Sequence, residues 1–89
     1  MQKLPQVTQS VKVAHKPPVE QLARFSDALR AREEELAGQG RLLFRYSGTE
    51  AKARITVEGP DWFRVREIAD ELERILLKDI EKWAEQNAS

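Results

Sequence analysis

The sequence predicts an α+β fold: a two-layer sandwich in which two helices cover one face of a mainly antiparallel sheet of three or four strands. Three observations indicate this class: two amphipathic helical patterns, two adjacent strand patterns joined by a short polar loop, and one more strand pattern near the N-terminus. Each helix has one apolar stripe, so both need an apolar sheet face to cover. The 89 residues allow a single domain, residues 1–89, with one modest core.

The first strand pattern lies at residues 7–14. Val7, Val11 and Val13 share one parity and polar side chains occupy the other, which predicts a half-buried strand interrupted at Gln9.

The first helix is predicted over residues 19–37. Pro18 suits the first turn of a helix, because the N–H that it lacks has no partner there. Apolar residues then recur at spacings of three, four and seven. Gly38 and Gly40 end the pattern, and either glycine can adopt a left-handed cap.

The middle of the chain predicts a β-hairpin. Residues 41–46 and 52–58 both alternate between apolar and polar side chains, and a polar loop that contains Gly48 joins them. A second helix follows, with Asp61 as its N-cap and an end near Trp83 or Glu85. The remaining tail, residues 86–89, is expected to fray.

Composition argues against several functions. Fifteen Lys and Arg balance fifteen Asp and Glu, whereas nucleic-acid and membrane-surface binders normally carry a basic excess. With no Cys and with His15 as the single His, we expect neither disulfides nor a Cys/His metal site. No stretch reaches the roughly 20 apolar residues of a membrane span, and the N-terminus lacks the apolar segment of a signal peptide. We therefore expect a cytoplasmic protein.

The loop of the hairpin concentrates groups that bind an oxyanion. Phosphate needs converging donors, positive charge and a backbone without an obstructing Cβ. Gly48 allows the chain to turn and to expose amide N–H groups, and Ser47 and Thr49 add hydroxyl donors. Arg45 and Arg54 lie on the two flanking strands, so both side chains can reach the mouth of the loop. The sequence therefore predicts local anion capture.

The same residues have an ordinary interpretation. Ser, Gly and Thr are common in hairpin loops, and arginines on strands are often only solvated. Glu50 argues against an anion, because a carboxylate repels phosphate, although it could instead accept loop N–H groups or orient an arginine. The residues alone leave both interpretations open.

The segment 45–50 (RYSGTE), followed by residues 53–59 (ARITVEG), resembles the phosphate-binding loop and next strand of the α-D-phosphohexomutases. That family has Arg-x-Ser-Gly-Thr-Glu-Pro there, then Arg and Glu-Gly. The resemblance extends over about residues 4–82 and is strongest to the phosphoglucosamine mutase branch. Ala51 stands where the family usually has Pro, so we expect a looser loop, since a suitable change to Pro stabilises by roughly 0.4–1 kcal/mol.

The resemblance implies that the chain is the C-terminal domain of a larger enzyme, with a TATA-binding-protein-like fold. This domain would grip the substrate phosphate that is not being transferred. Carried over residue by residue, the phosphate-binding positions are Arg45, Ser47, Gly48, Thr49 and Arg54, with Glu50 in a loop-shaping role.

The resemblance also implies an isomerase that interconverts glucosamine 6-phosphate and glucosamine 1-phosphate through a phosphoserine. The phosphoserine and the Mg²⁺ of the full-length enzyme would lie in other domains. We therefore expect no catalytic residue, no metal site and no cofactor in this chain, and no activity in isolation. The expected partners are a glucosamine phosphate and the other domains of the enzyme, with neither nucleic acid nor membrane. Alternatives are a phosphomannomutase/phosphoglucomutase C-terminal domain and a stand-alone module that binds RNA or protein.

Four other features have both a structural and a functional interpretation. We expect His15 to be a solvated loop residue rather than an acid–base group. Trp62 and Phe63 are expected to pack the helix start against the sheet rather than to bind a sugar or a partner. Residues 33–35, three glutamates, are expected to be solvated rather than to bind a metal. For Trp83, a core contact and a surface bared by missing domains are equally open.

Overall fold

The computed structural model describes residues 4–87 and confirms the predicted α+β class. Its strands are β1 (Gln6–Lys12), β2 (Arg41–Tyr46) and β3 (Lys52–Glu58), and its helices are α1 (Ala23–Leu36) and α2 (Trp62–Asn87). The three strands form one antiparallel sheet in the order β1-β3-β2. Neither α1 nor α2 combines the length and the apolar character needed to cross a membrane.

The core lies between the helices and one face of the sheet. On the central strand β3, Ala53, Ile55 and Val57 are buried and alternate with residues that face the open side. Phe25 of α1 is fully buried and meets Phe44 edge to face, with 4.8 Å between ring centroids. The buried apolar residues of α2 recur at helical spacing: Val65, Ile68, Ala69, Leu72, Leu76 and Ile80.

The predicted interruption of the first strand at Gln9 is wrong. β1 runs unbroken, and Gln9 pairs with Ile55 on the side that faces the helices. Its Nε2 donates to Asp70 Oδ1 at 3.2 Å and to Glu73 Oε1 at 3.1 Å, both on α2. The helix supplies acceptors for the amide nitrogen of Gln9, whereas the buried Oε1 has no hydrogen-bond partner within residues 4–87.

The first helix begins later than predicted, at Ala23, because residues 19–21 form a separate 3₁₀ turn. Leu22 occupies the N-cap position and has no side-chain oxygen to accept the free amides of the first turn. The buried carboxylate of Asp79 on α2 replaces it, and the Phe25 N–H donates to Asp79 Oδ2 at 2.8 Å. At the other end, Gly38 adopts the left-handed cap with a φ of 79°.

The second helix begins as predicted and ends later. Asp61 Oδ1 accepts the N–H groups of Phe63 at 3.0 Å and Arg64 at 3.4 Å, which confirms the N-cap. The helix continues to Asn87, so the predicted end near Trp83 or Glu85 is too early. Residues 86–87 of the predicted tail are helical, and residues 88–89 lie outside the described part of the chain.

The aromatic side chains outside the sheet differ in their surroundings. Trp62 and Phe63 do not pack against the sheet, contrary to the prediction: they are 47% and 76% exposed and meet each other edge to face. Trp83 packs against the core, and its Nε1 donates to Gln21 Oε1 at 2.7 Å. His15 is exposed and lies against Trp83, with 5.7 Å between ring centroids.

Glu35 is more than a solvated side chain, because it joins α1 to the start of α2. Its Oε2 lies 2.6 Å from Arg64 Nε, and its Oε1 lies 2.6 Å from Arg32 Nη1. The hydrogen bond from Arg64, with a smaller contribution from Arg32, lowers the pKa of Glu35 from 4.5 to about 2.

We expect these ion pairs to make stability depend on pH below 4.5. The folded-state pKa of Glu35 is depressed, so its contribution is complete above pH 4.5 and is lost as the pH falls towards 2. Because 33% of the side chain is exposed, the loss should not exceed about 1 kcal/mol. Urea unfolding at pH 7, 4 and 3 measures it. Glu35→Gln should reduce the loss between pH 7 and pH 3, and Glu33→Gln should not. Equal losses in both variants would contradict the assignment.

Candidate functional site

Two arginines face each other across neighbouring strands near the hairpin loop, residues 47–51. The register places Arg45 of β2 directly opposite Arg54 of β3 on the open face of the sheet. Like charges in opposed positions destabilise a sheet, and neither guanidinium lies within 4 Å of a carboxylate in residues 4–87. At the far end of the same strands, Arg41 instead lies opposite Glu58, with Nε 3.7 Å from Oε1. The charge arrangement near the loop therefore favours an anion between the arginines.

More lysines lie at the same end of the sheet. Lys12 of β1 is directly opposite Lys52 of β3. Lys52 Nζ lies 3.2 Å from Glu50 Oε2, so the one carboxylate of the loop is paired with a cation. This pairing weakens the objection that Glu50 would repel phosphate, because a nearby positive charge offsets its field.

A cavity of about 220 Å³ opens between the hairpin loop and the two arginines. Four of the predicted phosphate-binding residues line it together: Arg45, Ser47, Gly48 and Arg54. Thr49 lies outside its lining, whereas Glu50 contributes to it. Ser10 of β1 also lines the cavity, opposite Arg54 in the sheet, and the sequence analysis missed it. Strand alternation could have placed Ser10 on this face only if the pairing of β1 with β3 were known.

Hydrogen bonds within the loop leave the Gly48 amide, which lines the cavity, free for a ligand. The Ser47 N–H donates to the Lys52 carbonyl at 2.8 Å and closes the hairpin. Ser47 Oγ accepts the N–H groups of Glu50 at 3.1 Å and Thr49 at 3.4 Å, so its own proton remains available to donate. Within residues 4–87, the Gly48 N–H has no acceptor.

Gly48 is not needed to turn the chain, contrary to the prediction. Among residues 4–87, only Gly38 has a positive φ. A Cβ built on Gly48 meets nothing within 4 Å. The open space beside this backbone lets a ligand approach it closely.

A distant segment, residues 13–17, braces the hairpin loop from outside. The Tyr46 phenol is protonated at neutral pH and can donate, and burial raises its pKa further. Three hydrogen bonds join this segment to the hairpin: Lys16 Nζ to the Ser47 carbonyl at 2.6 Å, the Val13 N–H to the Ala51 carbonyl at 3.0 Å, and the Tyr46 hydroxyl to the Pro17 carbonyl at 2.8 Å. They constrain a loop that has Ala51 where the α-D-phosphohexomutases usually have proline.

The groups at this site are suited to binding an anion. It combines two forked cations, a hydroxyl proton and a free amide around one cavity. In the part of the chain that the structure describes, no three His, Asp or Glu side chains come together as metal ligands, so these residues do not fit Mg²⁺.

Comparisons with known proteins identify relatives of this chain. The family phosphoglucomutase/phosphomannomutase, C-terminal domain, matches residues 9–75. The phosphoglucosamine mutase of Desulfotalea psychrophila is 44% identical over 81% of this chain and 16% of its own length. That of Anaeromyxobacter dehalogenans is 47% identical over 74% of this chain and 14% of its own length. That of Protochlamydia amoebophila is 36% identical over 90% of this chain and 18% of its own length. The chain therefore spans less than a fifth of these relatives.

A solved structure supports the fold. This chain superposes on the C-terminal segment of the alpha subunit of aIF2 from Pyrococcus abyssi with a TM-score of 0.54, and the two are 22% identical in sequence. The match covers 88% of this chain and 46% of that one. At this identity the likeness concerns the fold alone.

Proposed function

Because the chain belongs to the phosphoglucomutase/phosphomannomutase C-terminal domain family, we propose that it is the phosphate-binding domain of a phosphoglucosamine-mutase-like enzyme. The parent would interconvert glucosamine 6-phosphate and glucosamine 1-phosphate through a phosphoserine, in the cytoplasm. This domain would hold the phosphate group that is not being transferred. The relatives named phosphoglucosamine mutase support this choice of substrate.

One observation carries the proposal: Arg45 and Arg54 are opposed across the strands at the mouth of the hairpin loop, and neither guanidinium lies within 4 Å of a carboxylate in residues 4–87. Two adjacent guanidiniums repel each other unless an anion lies between them. Phosphate fits this role, because each planar fork donates two parallel hydrogen bonds to its oxygens. Ser47 and Gly48 complete the site with one hydroxyl and one amide donor.

The proposed reaction requires a moderate affinity. The substrate must turn around between two half-reactions, so the domain holds either phosphate in turn and must release it. Three or four charge-assisted hydrogen bonds at about 1.5–3 kcal/mol each, less an association cost of at least about 4 kcal/mol, give a Kd on the order of millimolar for the isolated chain.

The rest of the proposed machinery belongs to other domains of the parent, which are the proposed partners of this one. The phosphoserine and Mg²⁺ would be supplied there. No step proposed for this chain involves the metal. The chain alone is expected to bind a phosphosugar and to catalyse nothing.

A titration with sugar phosphates tests the substrate class. Both glucosamine 6-phosphate and glucosamine 1-phosphate should shift the NMR amide signals of residues 47–50, with Kd values within about threefold of each other, because the phosphate supplies most of the contacts. Unphosphorylated glucosamine is the control and should leave these signals in place. Equal shifts with glucosamine, or binding of one isomer alone, would contradict the proposal.

A further inference from the structure

Lys16 makes a short contact with the hairpin loop from a distant part of the sequence. Its Nζ lies 2.6 Å from the carbonyl oxygen of Ser47, across 31 positions of the chain. A charged donor makes this a stronger hydrogen bond than one between neutral groups. Lys16 is not among the residues that line the anion cavity, and its hydrogen bond to Ser47 connects it to a residue that does.

The peptide whose carbonyl accepts the Lys16 hydrogen bond also carries the free Gly48 amide. The carbonyl of Ser47 and the N–H of Gly48 belong to one planar trans peptide unit, in which they point in opposite directions. Fixing the carbonyl on Lys16 therefore fixes the direction of the Gly48 N–H. Gly48 lines the cavity, and its N–H has no acceptor within residues 4–87.

We propose that Lys16 is a positioning residue of the anion site, which turns the Gly48 N–H towards the cavity and strengthens it as a donor. The ammonium group draws electron density towards the Ser47 oxygen, and hydrogen bonds that share a peptide polarise one another. The effect on anion affinity rests on the proposed function. The orientation of the Gly48 amide is a property of the free chain.

The role of Lys16 can be tested by substitution without unfolding the protein. Lys16 is exposed, and two further bonds keep its segment in place: Val13 N–H to the Ala51 carbonyl, and the Tyr46 hydroxyl to the Pro17 carbonyl. Lys12 provides a matched control. It is an exposed lysine at the same end of the sheet, and it pairs in register with Lys52 rather than bonding to the loop backbone.

The experiment compares Lys16→Met with Lys12→Met in the 89-residue chain. NMR first records the Gly48 amide signal without ligand and then its response to inorganic phosphate. Lys16→Met should move the free-chain Gly48 signal upfield and raise the Kd for phosphate about three- to tenfold more than Lys12→Met does. Lys16→Arg keeps a charged donor and should restore both values to within about twofold of the unaltered chain.

Two results would overturn the inference: an unchanged free-chain Gly48 signal in Lys16→Met, or an equal loss of affinity in Lys12→Met, which would reduce Lys16 to a general positive charge. Absence of phosphate binding in the unaltered chain would instead refute the proposed function. In that case the free-chain Gly48 signals of the three variants still decide whether Lys16 orients the amide.

Discussion

Arg45→Met is expected to raise the Kd for inorganic phosphate by about 10- to 100-fold, since a hydrogen bond to a charged group contributes about 1.5–3 kcal/mol and about 1.4 kcal/mol is tenfold. The same change should not lower stability. It removes one of two like charges that oppose each other across the sheet, which should stabilise the fold by about 0.2–1 kcal/mol. Phosphate titration and urea unfolding measure the two effects.

Arg41→Met is the matched control for this prediction. Arg41 lies on the same strand and the same face as Arg45, but it is opposite Glu58 at the far end of the sheet. Its removal should leave the phosphate Kd within about twofold and should bring no gain in stability, because it breaks an attractive pair rather than a repulsive one. If Arg41→Met weakened phosphate binding as much as Arg45→Met, the effect would be one of overall charge.

Gly40→Ala is expected to lower the free energy of unfolding by about 3 kcal/mol, at the upper end of ordinary overpacking. A Cβ at Gly40 would collide with the backbone carbonyl of Glu58 at the end of β3. Neither backbone is free to retreat, since the Gly40 N–H donates to the Leu36 carbonyl at 2.8 Å and the Gly59 N–H to the Pro5 carbonyl at 3.1 Å. Urea unfolding measures the loss.

Gly48→Ala separates stability from binding. A Cβ at Gly48 meets nothing and its φ is not positive, so the variant should be as stable as the unaltered chain or about 0.4–1 kcal/mol more stable. Its phosphate affinity should fall, because the added methyl group stands beside the amide that the anion approaches. Destabilisation equal to that of Gly40→Ala would show that the two glycines do not differ as described.

The sequence predicted the strands and helices, because local residue patterns determine them. Alternation located the three strands, and helical spacing located both helices, because one face of each element must be buried. It failed at Gln9 and at the start of α1, where the deciding groups are acceptors on α2, among them Asp79, 54 residues from the amide that it caps. It also failed at Trp62, because hydrophobicity does not show which side of a helical turn meets the core.

The sequence likewise predicted the part of the candidate site that lies within one local motif, and it missed the part that comes from distant residues. The motif placed Arg45, Ser47, Gly48 and Arg54 near one another because they lie on one hairpin, and they line one cavity. Ser10 and Lys16 come from elsewhere in the chain, so neither was visible in that motif. Ser10 reaches the cavity through the pairing of β1 with β3, and Lys16 reaches the loop through a single long-range hydrogen bond.

The most direct test is an NMR titration of the ¹⁵N-labelled chain with phosphate at constant ionic strength, with chloride as the balancing anion. We expect saturable shifts at the amides of residues 47–50 and at the side-chain Nε signals of Arg45 and Arg54, with a Kd on the order of millimolar. Chloride should not reproduce them. Loop amides that stay in place while signals elsewhere move, or equal shifts with chloride, would contradict the claim that this loop and its two arginines bind an oxyanion.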